Sequence, residues 1–175
     1  MSNKPKLPDG EKLQYALDNF AGVLKNVEYL AGNFNELKKI LPPEILELAT
    51  TGYFVSLGAL IRNNQGMDYT KIFELLEKAM DSNKEYPEQN EALRYNIDVL
   101  REWKETLAYE MTHILTLRDQ YFAHIDFVDK NFLTNAEKNK DRTKQDDLVK
   151  FFRCLLDVCQ DYSLSVIKVY EEQKN

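Results

Sequence analysis

The chain has 175 residues, 43% of them hydrophobic and 30% charged, with only six Gly and five Pro. Collagenous, low-complexity and turn-rich all-β chains are excluded by that composition. A net charge of -6 and a pI near 5.1 exclude a general nucleic-acid coat, which is basic, so any nucleic-acid chemistry must come from a local site.

A chain of this length buries roughly 70% of the surface its unfolded form exposes and needs no disulfide or metal to fold. Residues 1–8 read as a flexible N-terminal tail and 9–175 as one domain. Met1-Ser2-Asn3-Lys4-Pro5-Lys6 lacks the apolar stretch of a signal peptide.

From there the period is helical. Leu13, Leu17, Phe20, Leu24, Val27, Ala31, Phe34, Leu37 and Leu41 recur at threes and fours, predicting one long amphipathic helix that relaxes at Gly32. Pro42-Pro43 ends it, and Pro43 suits the first position of the next helix, about Glu44 to Arg62. Tyr53 to Ile61 is apolar nearly all round, which predicts a central helix, and is too short a run to span a membrane. Its Ser56, Gly58 and Ala59 allow close helix packing.

Asn63-Asn64-Gln65-Gly66 reads as a turn. Asp68 is placed to cap a short helix from Tyr69 to about Met80, with Ile72, Phe73, Leu75, Leu76 and Ala79 inward. A polar connection follows from Asp81 to Tyr86, and Pro87 restarts the helix. The pattern then runs from Glu88 to about Phe132, too long to be unbroken here, so a bend or break is expected between about Trp103 and Asp119. Thr134 to Asp147 holds four acids, four bases and one apolar residue, Ala136, and reads as a solvated loop. The last helix, about Asp147 to Tyr170, carries Leu148, Phe151, Phe152, Leu155, Val158, Cys159, Tyr162, Val166 and Val169 on one face. Cys154 and Cys159 point to different faces of it, which suits reduced core thiols in a cytoplasmic protein. No strand-like alternation occurs. The expected fold is an all-α bundle of five or six helices.

Most catalytic signatures are missing. No Gly-rich phosphate loop or nucleophile elbow occurs. Glu110-Met111-Thr112-His113 matches one Glu-x-x-His element of a di-iron bundle, but such sites need two, and Tyr121 stands where the glutamate before His124 would be. No metal or other cofactor is expected.

Thr116 to Asp126 is different. Arg118 interrupts the apolar stripe of Met111, Leu115, Phe122, Ile125 and Phe132, and His124 interrupts the neighbouring stripe of Leu117, Tyr121 and Val128. A core-facing arginine is costly unless paired, since it cannot shed its charge. On one straight helix, residues six apart lie roughly 120° round and about 9 Å along the axis, too far to touch; either both flank one phosphate or the helix breaks between them. Periodicity alone favours a plainer account, in which Arg118 pairs with an acid or snorkels to a bundle end and His124 bonds a backbone carbonyl.

The string Leu117-Arg118-Asp119-Gln120-Tyr121-Phe122-Ala123-His124-Ile125-Asp126 resembles the signature of the HEPN superfamily (higher eukaryotes and prokaryotes nucleotide-binding domains). That signature is an arginine, four to six intervening residues and a histidine, often with a polar residue just after the arginine. Its Ala-His-Ile-Asp ending, and Leu60-Ile61-Arg62-Asn63 followed by Tyr69-Thr70-Lys71-Ile72, are similar to the abortive-infection type U branch. The similarity covers about Glu11 to Tyr170.

The resemblance implies a HEPN-like bundle, a homodimer with paired motifs across a two-fold cleft, and metal-independent RNA cleavage in phage defence or a toxin–antitoxin pair. His124 would be the general base or acid, with a reference pKa of about 6.5. Arg118 would bind the scissile phosphate, Asp119 would orient Arg118 or His124, and Tyr121 would contact RNA. An antitoxin protein is an implied partner; a membrane is not. Many toxin members carry a tyrosine two residues after the histidine, a modification target. Here that position is Asp126, so that regulation is not implied. Some superfamily members are non-catalytic, which keeps open a dimeric helical interaction or nucleotide/RNA-binding module.

Overall fold

The structure, a computed structural model, describes residues 10–62, 68–123 and 142–172. They form six helices and no strand: α1 Gly10–Ile40, α2 Pro43–Ile61, α3 Tyr69–Ser82, α4 Pro87–Thr106, α5 Ala108–Ala123 and α6 Arg142–Glu172. The expected N-terminal tail, the 63–66 turn and the helical pattern from His124 to Phe132 lie outside the described residues.

Helix α1 is continuous through Gly32. Its stripe is fully covered at Leu17, Phe20, Leu24 and Val27, then half-covered at Ala31, Phe34 and Leu37. Helix α2 starts at Pro43 as the sequence predicts and folds back along α1 after a two-residue link. Phe54, Leu57, Leu60 and Ile61 of α2 enter the core, while Ile45 and Leu48 stay exposed. Taken whole, α2 is long and apolar enough to cross a membrane, although the run inside it is short. It packs here on α1 and α5, and 28% of its apolar stretch is buried.

The Asp68 carboxylate caps α3, with Oδ1 accepting from the backbone N–H of Thr70 (3.1 Å) and of Lys71 (3.2 Å). All five residues predicted to face inward on α3 are buried. The polar connection is shorter than predicted, Asn83 to Tyr86, because α3 runs on to Ser82. It is not solvated throughout: Asn83 and Tyr86 are both buried.

The break between α4 and α5 falls at Leu107 without Gly or Pro. The Thr106 hydroxyl donates to the Trp103 carbonyl (2.7 Å), the acceptor that the Leu107 N–H would use in a continuing α-helix. The Leu107 N–H goes instead to the Lys104 carbonyl (3.0 Å), and the ladder restarts with Met111 N–H to Leu107 O (2.9 Å). Leu107 itself turns into the core.

Helix α6 begins at Arg142, so 142–147 is helix where a loop was expected. Gln145, Asp146 and Asp147 are compatible with a helix, but only Gln145 is buried among these three. One polar turn carries no apolar period to read. Helix α6 then packs on α4 and also touches α1, α3 and α5. Phe151 and Phe152 are its centre. Phe152 meets Phe20 edge-on (5.7 Å between centroids), and Phe151 meets Tyr69 (6.0 Å) and Trp103 (5.8 Å). Val158 and Val169 of the predicted face are only half-buried.

Two polar links tie the layers. Asn90 Nδ2 of α4 donates to the Asn83 carbonyl (2.8 Å), and the Tyr162 hydroxyl of α6 donates to Asn90 Oδ1 (2.8 Å). At the other link, Arg153 of α6 holds Glu28 of α1 through Nε (2.8 Å) and Nη2. Cys159 is buried, and its apolar surroundings push the thiol up to about 12; Cys154 is half-buried, and both are free thiols.

Candidate functional site

Helix α5 carries Arg118 on the stripe of Met111 and Leu115, beside the buried Ile114 and Leu117. Facing it is the last turn of α2. That turn has no basic residue of its own, and its final carbonyls need donors. Arg118 supplies them from the neighbouring helix. Its Nη1 donates to the carbonyl of Arg62 (2.8 Å), the C-cap of α2, and at 3.4 Å to that of Gly58. The cation thus sits on the negative end of the α2 dipole.

The other side of the guanidinium meets its neighbour in sequence. Asp119 Oδ1 accepts from Nε (2.8 Å) and from Nη2 (2.6 Å) of Arg118. The Arg118 side chain is 18% exposed and that of Asp119 63%. Four hydrogen bonds therefore fix a group with five N–H donors, and its remaining surface opens to solvent at the end of α2.

The stem of Arg118 lies in a notch at Gly58. A Cβ built on Gly58 would stand 2.6 Å from Arg118 Cδ and 3.2 Å from both its Cβ and Cγ. Gly58 was expected to let helices approach closely; what it admits is one side chain. A glycine in the apolar C-terminal half of α2 is the signal that could have marked such a notch, but its occupant was not legible.

Of the residues predicted to form the site, the structure joins Arg118 and Asp119. Tyr121 lies in α5, with its side chain outside the described residues, and His124 lies wholly outside them. Glu110 is buried and His113 half-buried on α5. Among the described residues no group of three His, Cys, Asp or Glu is placed to hold a metal ion. The arrangement offers a prepositioned planar cation at a solvent-facing helix end, chemistry suited to a phosphate or carboxylate. No family model, curated protein or solved structure matches the chain.

Proposed function

We propose that the chain is a metal-independent endoribonuclease of the HEPN type, active as a homodimer in the cytoplasm, in phage defence or a toxin–antitoxin pair. The observation that supports this reading is the Arg118–Asp119 pair. An arginine in the motif's first position is pre-oriented by the motif's own acid and by α2 carbonyls, with part of its fork open to solvent. In this reading Arg118 binds the scissile phosphate and offsets the charge that develops on it. His124 takes the 2′-hydroxyl proton or returns one to the leaving oxygen, leaving a 2′,3′-cyclic phosphate. Tyr121 contacts the RNA.

The same bonds favour a second reading. Arg118 is satisfied within one chain, as a cap on α2, which suits a non-catalytic dimeric interaction or nucleotide/RNA-binding module.

Incubation of the purified protein with single-stranded RNA in EDTA separates the two. The nuclease reading expects cleavage, reduced about 10²- to 10⁴-fold in His124→Ala with unchanged helicity. Cleavage that survives His124→Ala overturns it. An inert wild type, with Arg118→Ala lowering stability or dimerisation, establishes the second reading.

A further inference from the structure

We infer that Gly58 is the positioning residue for Arg118, so that the reactive geometry of α5 is set by a missing side chain on α2. This deepens the ribonuclease reading and rests on it. The contact is specific. Among the described residues of α2 the other glycine, Gly52, has nothing within 4 Å of a would-be Cβ, whereas the Gly58 Cβ would overlap Arg118 Cδ and press tightly on its Cβ and Cγ. The clash falls on Cδ, with Cβ and Cγ also pressed, so it cannot be relieved by moving the guanidinium tip alone. An added side chain must displace Cδ and with it the guanidinium it carries. That shifts Nη1 off the Gly58 and Arg62 carbonyls.

Gly58 touches no substrate in this scheme. It acts through Arg118, and its effect is on the charge-stabilising step. A misplacement of about 1 Å at such a group costs on the order of 10²-fold in rate.

Gly58→Ala is compared with Gly52→Ala in the full-length protein. Ala favours a helix over Gly, so Gly52→Ala is expected to melt at or above the wild-type temperature and to cleave RNA as wild type does. Gly58→Ala is expected to melt lower despite that propensity, and to lose about 10²-fold in kcat, with KM rising as phosphate binding weakens and an unchanged pH profile. In an Arg118→Ala background the 2.6 Å clash with Cδ is gone and only the 3.2 Å approach to Cβ remains, so Gly58→Ala is expected to lower the melting temperature much less than in the wild type, or to raise it. Wild-type kcat in a folded Gly58→Ala overturns the inference, as does a Gly58→Ala that destabilises as much in the Arg118→Ala background as in the wild type. If the wild type cuts no RNA, the ribonuclease reading and the positioning role both fall. A destabilisation that shrinks in the Arg118→Ala background would then identify the notch as a purely structural seat.

Discussion

The Tyr162 hydroxyl donates to Asn90 Oδ1 at 2.8 Å, joining the C-terminal half of α6 to the first turn of α4. The same hydroxyl accepts from Asn83 Nδ2 at 3.3 Å, and Asn90 reaches on to the Asn83 carbonyl. Two helices and the connection after α3 thus meet at one buried oxygen. Removing it with Tyr162→Phe leaves amide groups without a partner, which costs about 1–3 kcal/mol. Urea unfolding is expected to show that loss, and Tyr162→Phe combined with Asn90→Ala is expected to cost less than the sum of the two. Strict additivity would mean the bond carries no coupling.

A smaller loss is expected at the start of α3. Asp68 satisfies two of the orphan N–H groups of that helix, so Asp68→Ala costs about 1 kcal/mol. For a chain of this size the melting temperature falls by roughly 2–4 °C per kcal/mol. Asp68→Asn keeps an acceptor oxygen and is expected to keep most of the stability. Equal losses in the two variants would assign the effect to charge instead.

The contacts between α1 and α6 separate packing from charge. Phe152 is fully buried and meets Phe20 and Phe151, so Phe152→Ala costs about 3–5 kcal/mol. Arg153 and Glu28 form an ion pair between side chains 43% and 32% exposed, so Arg153→Met costs below about 1 kcal/mol and less in high salt. Calorimetry of the two variants checks the ranking, and a reversed order would move the weight of this interface onto charge.

Stability is expected to fall in alkali. Burial pushes the Cys159 thiol up to about 12, and burial also raises Tyr69 and Tyr162 above the ordinary phenol value. Below about pH 9 these groups are protonated in both states and add no slope. Between there and about 12 the folded state keeps a Cys159 proton that the unfolded state loses, so stability drops as pH rises, by up to about 1.4 kcal/mol per pH unit. Urea midpoints from pH 7 to 11 would read this, and a flat series contradicts it. In native protein, iodoacetamide is expected to reach the half-buried Cys154 well before Cys159.

What the sequence made legible was whatever repeats. The stripes of α1, α3 and α6 predict their buried faces because each apolar residue lies three or four from the next, and Asp68 announces its helix by chemistry that only a cap needs. The polar first turn of α6 has no such period and reads as loop. The break at Leu107 depends on the Thr106 hydroxyl taking one carbonyl, a competition decided by geometry and not by composition. At the site, the interrupted stripe singled out Arg118 and the motif paired it with Asp119. That Arg118 caps α2 and lies over Gly58 is a contact across 60 residues, which no local pattern encodes.

The link from Glu28 to Arg153 spans 125 residues, and that span orders events during synthesis. Closing so long a loop carries an entropic cost near 4 kcal/mol plus a constant, repaid only when Phe151 and Phe152 arrive. On the ribosome, α2 and α3 can pack on α1 early, but Phe20 lacks its Phe152 partner until α6 has emerged. A nascent chain arrested before Leu148 leaves the α6-facing side of α1 uncovered, an apolar surface for chaperones, and nascent-chain crosslinking would register release from them as α6 clears the exit tunnel.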